Sequence, residues 1–245
     1  MEAGHEAGVE VIPGVEINTD VAACEVHILG YFVDLSCEDF QLFLRRMREE
    51  RVARARRIVE TLASLGVPVD WARIQSLADG ASVGRPHIAR ALVESGWVGT
   101  PQEAFERYLA QSRPAYVPRA QLSPEEAIDA IGRACGVPVL AHPGWEASGP
   151  IVDRLPVLVE HGLCGIEVYY PDHTPAMVAA FLALARRFRL VVTGGTDYHG
   201  GGIATRVPLG GMRIPPEVVP ALRARWEALR TPGISRGISP ATRTV

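Results

Sequence analysis

A chain of 245 residues is long enough to bury a full core, as one domain or as one domain with an insertion, and no apolar run in it approaches the length of a membrane span. Its 25 basic side chains are all arginine against 28 acidic ones, so a net charge of −3 excludes a global nucleic-acid footprint, and the lack of lysine excludes a lysine nucleophile. Cys24, Cys37, Cys135 and Cys164 show no CxxC spacing and argue for reduced thiols rather than a zinc knuckle or disulfide framework.

The start, Met1-Glu2-Ala3-Gly4-His5-Glu6, has neither the basic opening nor the apolar core of a signal peptide, so a cytoplasmic location is expected. Residues 9–17 form an apolar run interrupted by Pro13-Gly14 and carrying Glu16. Residues 25–32 alternate and carry His27. With Asn18-Thr19-Asp20 as turn chemistry between them, they read as two closely joined strands. Glu16 and His27 are polar groups in otherwise core-like strands, and such groups require partners.

Residues 36–65 predict a long helix, with Ser36 and Asp39 resembling a capping box and Gly66 as the stop. Its arginines at 45, 46, 48, 51, 54, 56 and 57 suit a solvated face paired with Glu49, Glu50 and Glu60 better than a polyanion contact. Residues 67–118 predict a small helical insertion with helices over 85–94 and 102–110. Gly84-Arg85-Pro86-His87 opens the first of these. Arg85 and His87 at a helix start can bind phosphate, although in isolation a surface ion pair for Arg85 and packing for His87 explain them better.

From residue 119 to 230 helices and strands alternate. Ser123-Pro124-Glu125-Glu126 is a strong helix start. Strands are predicted over 137–141, 164–169 and 190–193, with helices over 153–161, 175–187 and 216–229. This alternation predicts a parallel sheet or barrel. The tail 231–245, rich in Gly, Ser, Pro and Thr, reads as disordered.

Chemistry in such folds sits at the carboxyl ends of strands. Polar residues in or just after the strand-like runs are Glu16, His27, His142, Asp197 and His199. A glutamate with two histidines is a three-ligand set that leaves a position open for water. A bound divalent ion brings the pKa of its water to about 7 and supplies hydroxide at neutral pH. The alternative for Asp197 and His199 is a strand followed by an Asx turn with an exposed histidine. No Walker loop, GxGxxG or serine elbow is present.

Pro13-Gly14-Val15-Glu16-Ile17, Glu25-Val26-His27-Ile28-Leu29-Gly30-Tyr31, Gly84-Arg85-Pro86-His87-Ile88-Ala89, Val139-Leu140-Ala141-His142-Pro143 and Thr193-Gly194-Gly195-Thr196-Asp197-Tyr198-His199-Gly200 resemble, in order, the motifs of the PHP (polymerase and histidinol phosphatase) domain, most of all its TrpH/YciV-like phosphoesterases. The resemblance covers residues 9–210. It implies an α/β fold, a distorted (β/α)7 barrel with metals at its C-terminal rim and a helical insert over the site. It implies hydrolysis of phosphate esters of nucleotides, such as 3′,5′-bisphosphates, or trimming of short oligoribonucleotides, with up to three Mn, Zn or Fe ions and no stable protein partner. Glu16 is expected to bridge two metals, His27 and His142 to complete the middle site, and Asp197 and His199 to serve the flanking ions. Arg85 and His87 are expected to hold the substrate phosphate. Tyr170-Pro171-Asp172-His173 also matches a family stretch, with no role assigned to His173.

The family's opening His-x-His strand and Thr-Asp-His-Asp segment have no counterpart in this sequence, so the first barrel strands and four expected ligands are missing from it, and both flanking metals lose protein support. Three readings follow: a phosphoesterase whose start lies upstream of Met1, a shortened pseudoenzyme or metal-binding module keeping the middle site, or an amidohydrolase-like enzyme acting on C–N bonds. The chain as written is expected to be poorly active.

Overall fold

The computed structural model describes residues 1–21, 24–80, 82–144, 149–199 and 207–231. The expected disordered tail therefore lies outside the described residues except for Thr231. The chain divides into two compact units, Met1–Gln41 with Gln121–Val245, and Leu42–Ala120. The second contains the 67–118 stretch and adds most of the long helix to it.

The first unit is built on a five-stranded sheet of β1 (Gly14–Val21), β2 (Cys24–Tyr31), β3 (Val137–Leu140), β4 (Gly165–Tyr169) and β5 (Val191–Gly194), in that spatial order. β1 and β2 are antiparallel, as are β2 and β3, while β3, β4 and β5 run parallel. This is the expected mixed α/β architecture, with β1 and β5 at the sheet's edges.

One local expectation is corrected. Asn18-Thr19-Asp20 does not turn; β1 runs through it to Val21. These residues find partners in neighbouring segments, which removes the drive to turn. Thr19 is buried and its hydroxyl donates to Val26 O at 2.7 Å. The Asn18 amide donates to Glu25 Oε1 at 2.6 Å, and the Asp20 N–H donates to Leu122 O at 2.8 Å.

Side chains alternate across a pleated sheet, so register decides which residues share a face. Ile17 pairs with Ile28 and Ile28 with Leu140 on one face. Helix α6 (Pro124–Arg133), named in chain order after the helices given below, packs across β1, β2 and β3. Its Ile131 comes so close to Gly30 that a Cβ there would stand 2.9 Å from Ile131 Cγ1, which explains the glycine. The opposite face carries Glu16, Asn18, His27 and Leu29, then Val139, Gly165, Glu167 and Val191. Its apolar half packs with Leu222 and Trp226 of α10 (Val218–Arg230), and Trp226 stacks on Phe32 at 4.8 Å. The crossovers after β3 contain α7 (Gly149–Asp153) and α8 (Leu155–Glu160), and α9 (Pro175–Phe188) links β4 to β5. A short α1 (Glu2–Glu6) opens the chain.

The long helix α2 (Glu38–Ser64) starts later than expected. Ser36 is not its cap: its N–H and hydroxyl both bond Asp34 Oδ1, at 2.8 and 2.6 Å, so Asp34 organises the turn. In the second unit α2 is followed by α3 (Trp71–Ala78), α4 (Arg85–Glu94) and α5 (Pro101–Ala104), the last running into a π-helical turn, Phe105–Leu109. Helix α3, capped by Asp70, was not separately foreseen, because eight residues give little periodicity to read. Ile58, Leu62, Ile74, Ile88, Leu92 and Leu109 form this unit's core. The arginines of α2 lie mostly exposed, with Arg56 over the Trp71 ring and Arg54 donating to Val117 O. Among the described residues no helix is long and apolar enough to cross a membrane.

The reciprocal cap of α6 is the expected one. The Glu126 N–H donates to Ser123 Oγ at 3.2 Å, and the Ser123 N–H donates to Glu126 Oε2 at 2.9 Å. Ser123→Ala is expected to destabilise the protein by about 1 kcal/mol, read as a lower urea midpoint at unchanged slope, and Ser123→Asp to recover most of the loss.

Candidate metal centre

Strands β1 and β2 and the segment just after β3 deliver three donor atoms to one point. Glu16 Oε1 lies 2.5 Å from His27 Nδ1 and 3.4 Å from His142 Nε2. The two imidazole nitrogens are 3.3 Å apart. All three ligand atoms lie within 4.8 Å of one another. The Glu16–His27 contact follows from register. Glu16 pairs with Leu29 and Asn18 with His27, so Glu16 and His27 are diagonal neighbours on one face, within reach of long side chains.

His142 reaches the same point by a different device. Continuing the β2–β3 register would place it opposite Val26, on the other face. It instead takes a left-handed φ of +22°, and its ring meets that of His27 edge-on at 5.0 Å. Its backbone N–H donates to Glu167 Oε2 at 2.9 Å. His142 is 7% exposed at the side chain, His27 13% and Glu16 31%, so the cluster is closed at the histidines and open at the carboxylate.

Electrostatics tie the cluster together. Burial opposes ionisation of Glu16, but hydrogen bonds from His142 and His27, and their charge, outweigh it and hold the carboxyl well below the usual range. Burial likewise disfavours a charged His27, yet hydrogen bonds to Glu16 and Glu25 push it up to about 9. Without a metal, a proton on His27 holds the donors together. A divalent cation would take that proton's place. One carboxylate oxygen and two imidazoles suit zinc, manganese or iron, and Glu25 Oε1, 3.3 Å from His27 Nε2, can fix the tautomer that frees Nδ1.

The other expected site residues are distributed as follows. Asp197 lies beyond β5 with φ +51°, and its Oδ2 accepts a hydrogen bond from the Tyr170 hydroxyl at 3.3 Å. The Tyr170 ring rests on His142 at 5.0 Å, which ties Asp197 to the same rim. His199 folds back, its Nδ1 donating to Asp197 O at 2.8 Å, with half its side chain exposed. Neither residue enters the three-donor cluster found among the described residues. Arg85 and His87 belong to the second unit. There Arg85 donates to Leu109 O at 3.3 Å, and His87 Nδ1 accepts the Gly84 N–H at 3.0 Å at the start of α4.

Glu167 was missed. It is a buried carboxylate whose burial, partly offset by the His142 N–H, pushes it up to about 7. The signal was available: an acid inside the apolar run Gly165-Ile166-Glu167-Val168 is the same anomaly that singled out Glu16.

Proton and metal compete for His27, and this fixes a pH dependence. Its raised pKa makes the contribution of the His27 proton to metal-free stability full below pH 6.5, so long as Glu16 stays ionised, and lost as pH rises through about 9. Apparent affinity for Mn²⁺ or Zn²⁺ is accordingly expected to rise with pH over that window, by up to roughly tenfold per unit, with proton release on binding. Calorimetric titrations in buffers of different ionisation enthalpy check both the slope and the protons.

No family model matches the chain. It is 37% identical over 191 residues to the 5′-3′ exoribonuclease Rnm of Salmonella typhimurium, a match covering 77% of this chain and 65% of that protein. It is 30% identical over 203 residues to the 3′,5′-nucleoside bisphosphate phosphatase of Chromobacterium violaceum, covering 82% of this chain and 71% of the phosphatase. A crystal structure from Bifidobacterium adolescentis, of a protein assigned as a metal-dependent phosphoesterase, superposes with a TM-score of 0.78 at 31% identity, covering 91% of this chain and 79% of that one. The chain thus spans about two thirds of the exoribonuclease's length. With relatives at this identity and coverage, the chain belongs to the PHP-like family of metal-dependent phosphoesterases.

Proposed function

We propose that this protein hydrolyses phosphate esters of nucleotides, such as 3′,5′-bisphosphates, or of short oligoribonucleotides, with divalent metal ions at the rim of its sheet. The observation that carries this reading is the meeting of Glu16 of β1, His27 of β2 and His142, just after β3, within 4.8 Å. A divalent ion bound there supplies a water of lowered pKa and positive charge for the phosphoryl oxygens. Glu16 offers the exposed, charged donor and suits a position shared with a second ion; His27 and His142 offer neutral nitrogens once deprotonated. Asp197 and His199 serve flanking ions in this reading, and manganese, zinc and iron all suit the donors.

The relatives' names support the substrate class from two sides. One acts on RNA and one on nucleoside bisphosphates, so the shared element is a nucleotide phosphate ester. Arg85 and His87 are assigned to the substrate phosphate, the guanidinium by bidentate pairing and the imidazole beside a helix start. The four free cysteines suit a reducing, cytoplasmic setting.

Phosphate release from adenosine 3′,5′-bisphosphate, and shortening of a 5′-phosphorylated triribonucleotide, test the proposal with the full-length protein and Mn²⁺. His142→Ala and His27→Ala are each expected to lower kcat/KM at least about a hundredfold, a loss of roughly 2.7 kcal/mol in transition-state stabilisation. Activity retained in both variants, or absent from the native protein on both substrates, sinks the assignment.

Arg85→Ala is expected to raise KM for the bisphosphate more than it lowers kcat, because it removes binding shared by ground and transition states. Unchanged kinetics leave Arg85 in its local contacts with Leu109 and Phe105.

A further inference from the structure

Strand β4 contributes no candidate ligand, although it lies between β3, which presents His142, and β5, which presents Asp197. Two side chains at its carboxyl end reach sideways, one to each neighbour. Glu167, 5% exposed, accepts the backbone N–H of His142 at 2.9 Å. Tyr170, 8% exposed, donates its hydroxyl to Asp197 Oδ2 at 3.3 Å and lays its ring on the His142 imidazole.

The two recipients share a second property. His142 and Asp197 are non-glycine residues with left-handed φ, +22° and +51°. Such conformations are costly for residues with a Cβ and persist only where their surroundings over-determine them. At His142 this conformation turns the ring off the strand's own alternation towards Glu16 and His27. Losing it would return the imidazole to the far face of the sheet.

We infer that Glu167 and Tyr170 are positioning residues that hold His142 and Asp197 in their ligand-presenting conformations, Glu167 through the backbone and Tyr170 through the carboxylate. This rests on reading Glu16, His27 and His142 as a metal site. Neither residue need touch metal or substrate. Outer partners of this kind change metal affinity by about 10- to 100-fold when removed.

The test is Mn²⁺ binding by chelator competition, with metal per chain measured directly, on folded native protein, Glu167→Ala, Glu167→Gln, Tyr170→Phe and His27→Ala. Glu167→Ala is expected to weaken binding about 10- to 100-fold, and Glu167→Gln to stay within about threefold of native, because its side-chain oxygen still accepts the His142 N–H. Tyr170→Phe is expected to weaken binding at least about threefold while leaving the melting temperature nearly unchanged. Native affinity in Glu167→Ala, or equal loss in Glu167→Gln and Glu167→Ala, overturns the role of Glu167. Should Glu167→Ala fail to fold, Tyr170→Phe decides, and native affinity in it overturns the inference. If native protein and His27→Ala take up metal equally, the metal-site reading falls first and this inference with it.

Discussion

The contact on which the rest depends is a carboxylate held between two imidazoles. Glu16 and His27 come from the neighbouring strands β1 and β2 and His142 from the segment after β3, far along the chain, and their donor atoms face a common point. Ionised and imidazole groups are not left together in a largely apolar sheet without compensation. Here each offsets the others: the histidines hold Glu16 ionised, and Glu16 holds a proton on His27. A group of donors that must share a proton when alone is one that a divalent cation can occupy with little rearrangement.

The fold serves this contact by dividing the labour between the two faces of its sheet. One face is covered by α6, with Ile131 driven against Gly30. The other has two zones. Leu29, Val139 and Val191 pack with α10, and beside them lie the polar residues of the cluster. The apolar zone supplies the rigidity that a site of a few ångströms' tolerance needs. The polar zone lies where the parallel strands β3, β4 and β5 end, the position at which α/β folds place their chemistry.

Membership of the PHP-like family constrains chemistry more than substrate. The named relatives act on an RNA chain and on a nucleoside bisphosphate. A shared fold can thus serve esters of different size, and selection between them falls to residues outside the candidate metal centre. In the proposed function Arg85 and His87 would make that selection; both lie in a unit whose core of isoleucines and leucines is its own.

Much of this was legible in the amino-acid order. The Ser123–Glu126 cap, the five strands and the helices between them follow from local patterning, because hydrogen bonds within a turn and alternation within a strand are short-range. Glu16, His27 and His142 stood out for the same reason, as polar residues within or just after apolar runs. Other features were not legible. The turn residues Asn18-Thr19-Asp20 became strand because their partners, Glu25, Val26 and Leu122, were supplied by neighbouring segments. Glu167 meets the N–H of a residue 25 positions earlier, a relation that only strand pairing creates. Above all, alternation alone assigns His142 to the wrong face; a single left-handed φ, stable only within the packed sheet, brings it to Glu16 and His27. Local patterning selected the donors, and the tertiary structure decided that they meet, because register and backbone strain are set by what packs across the chain rather than along it.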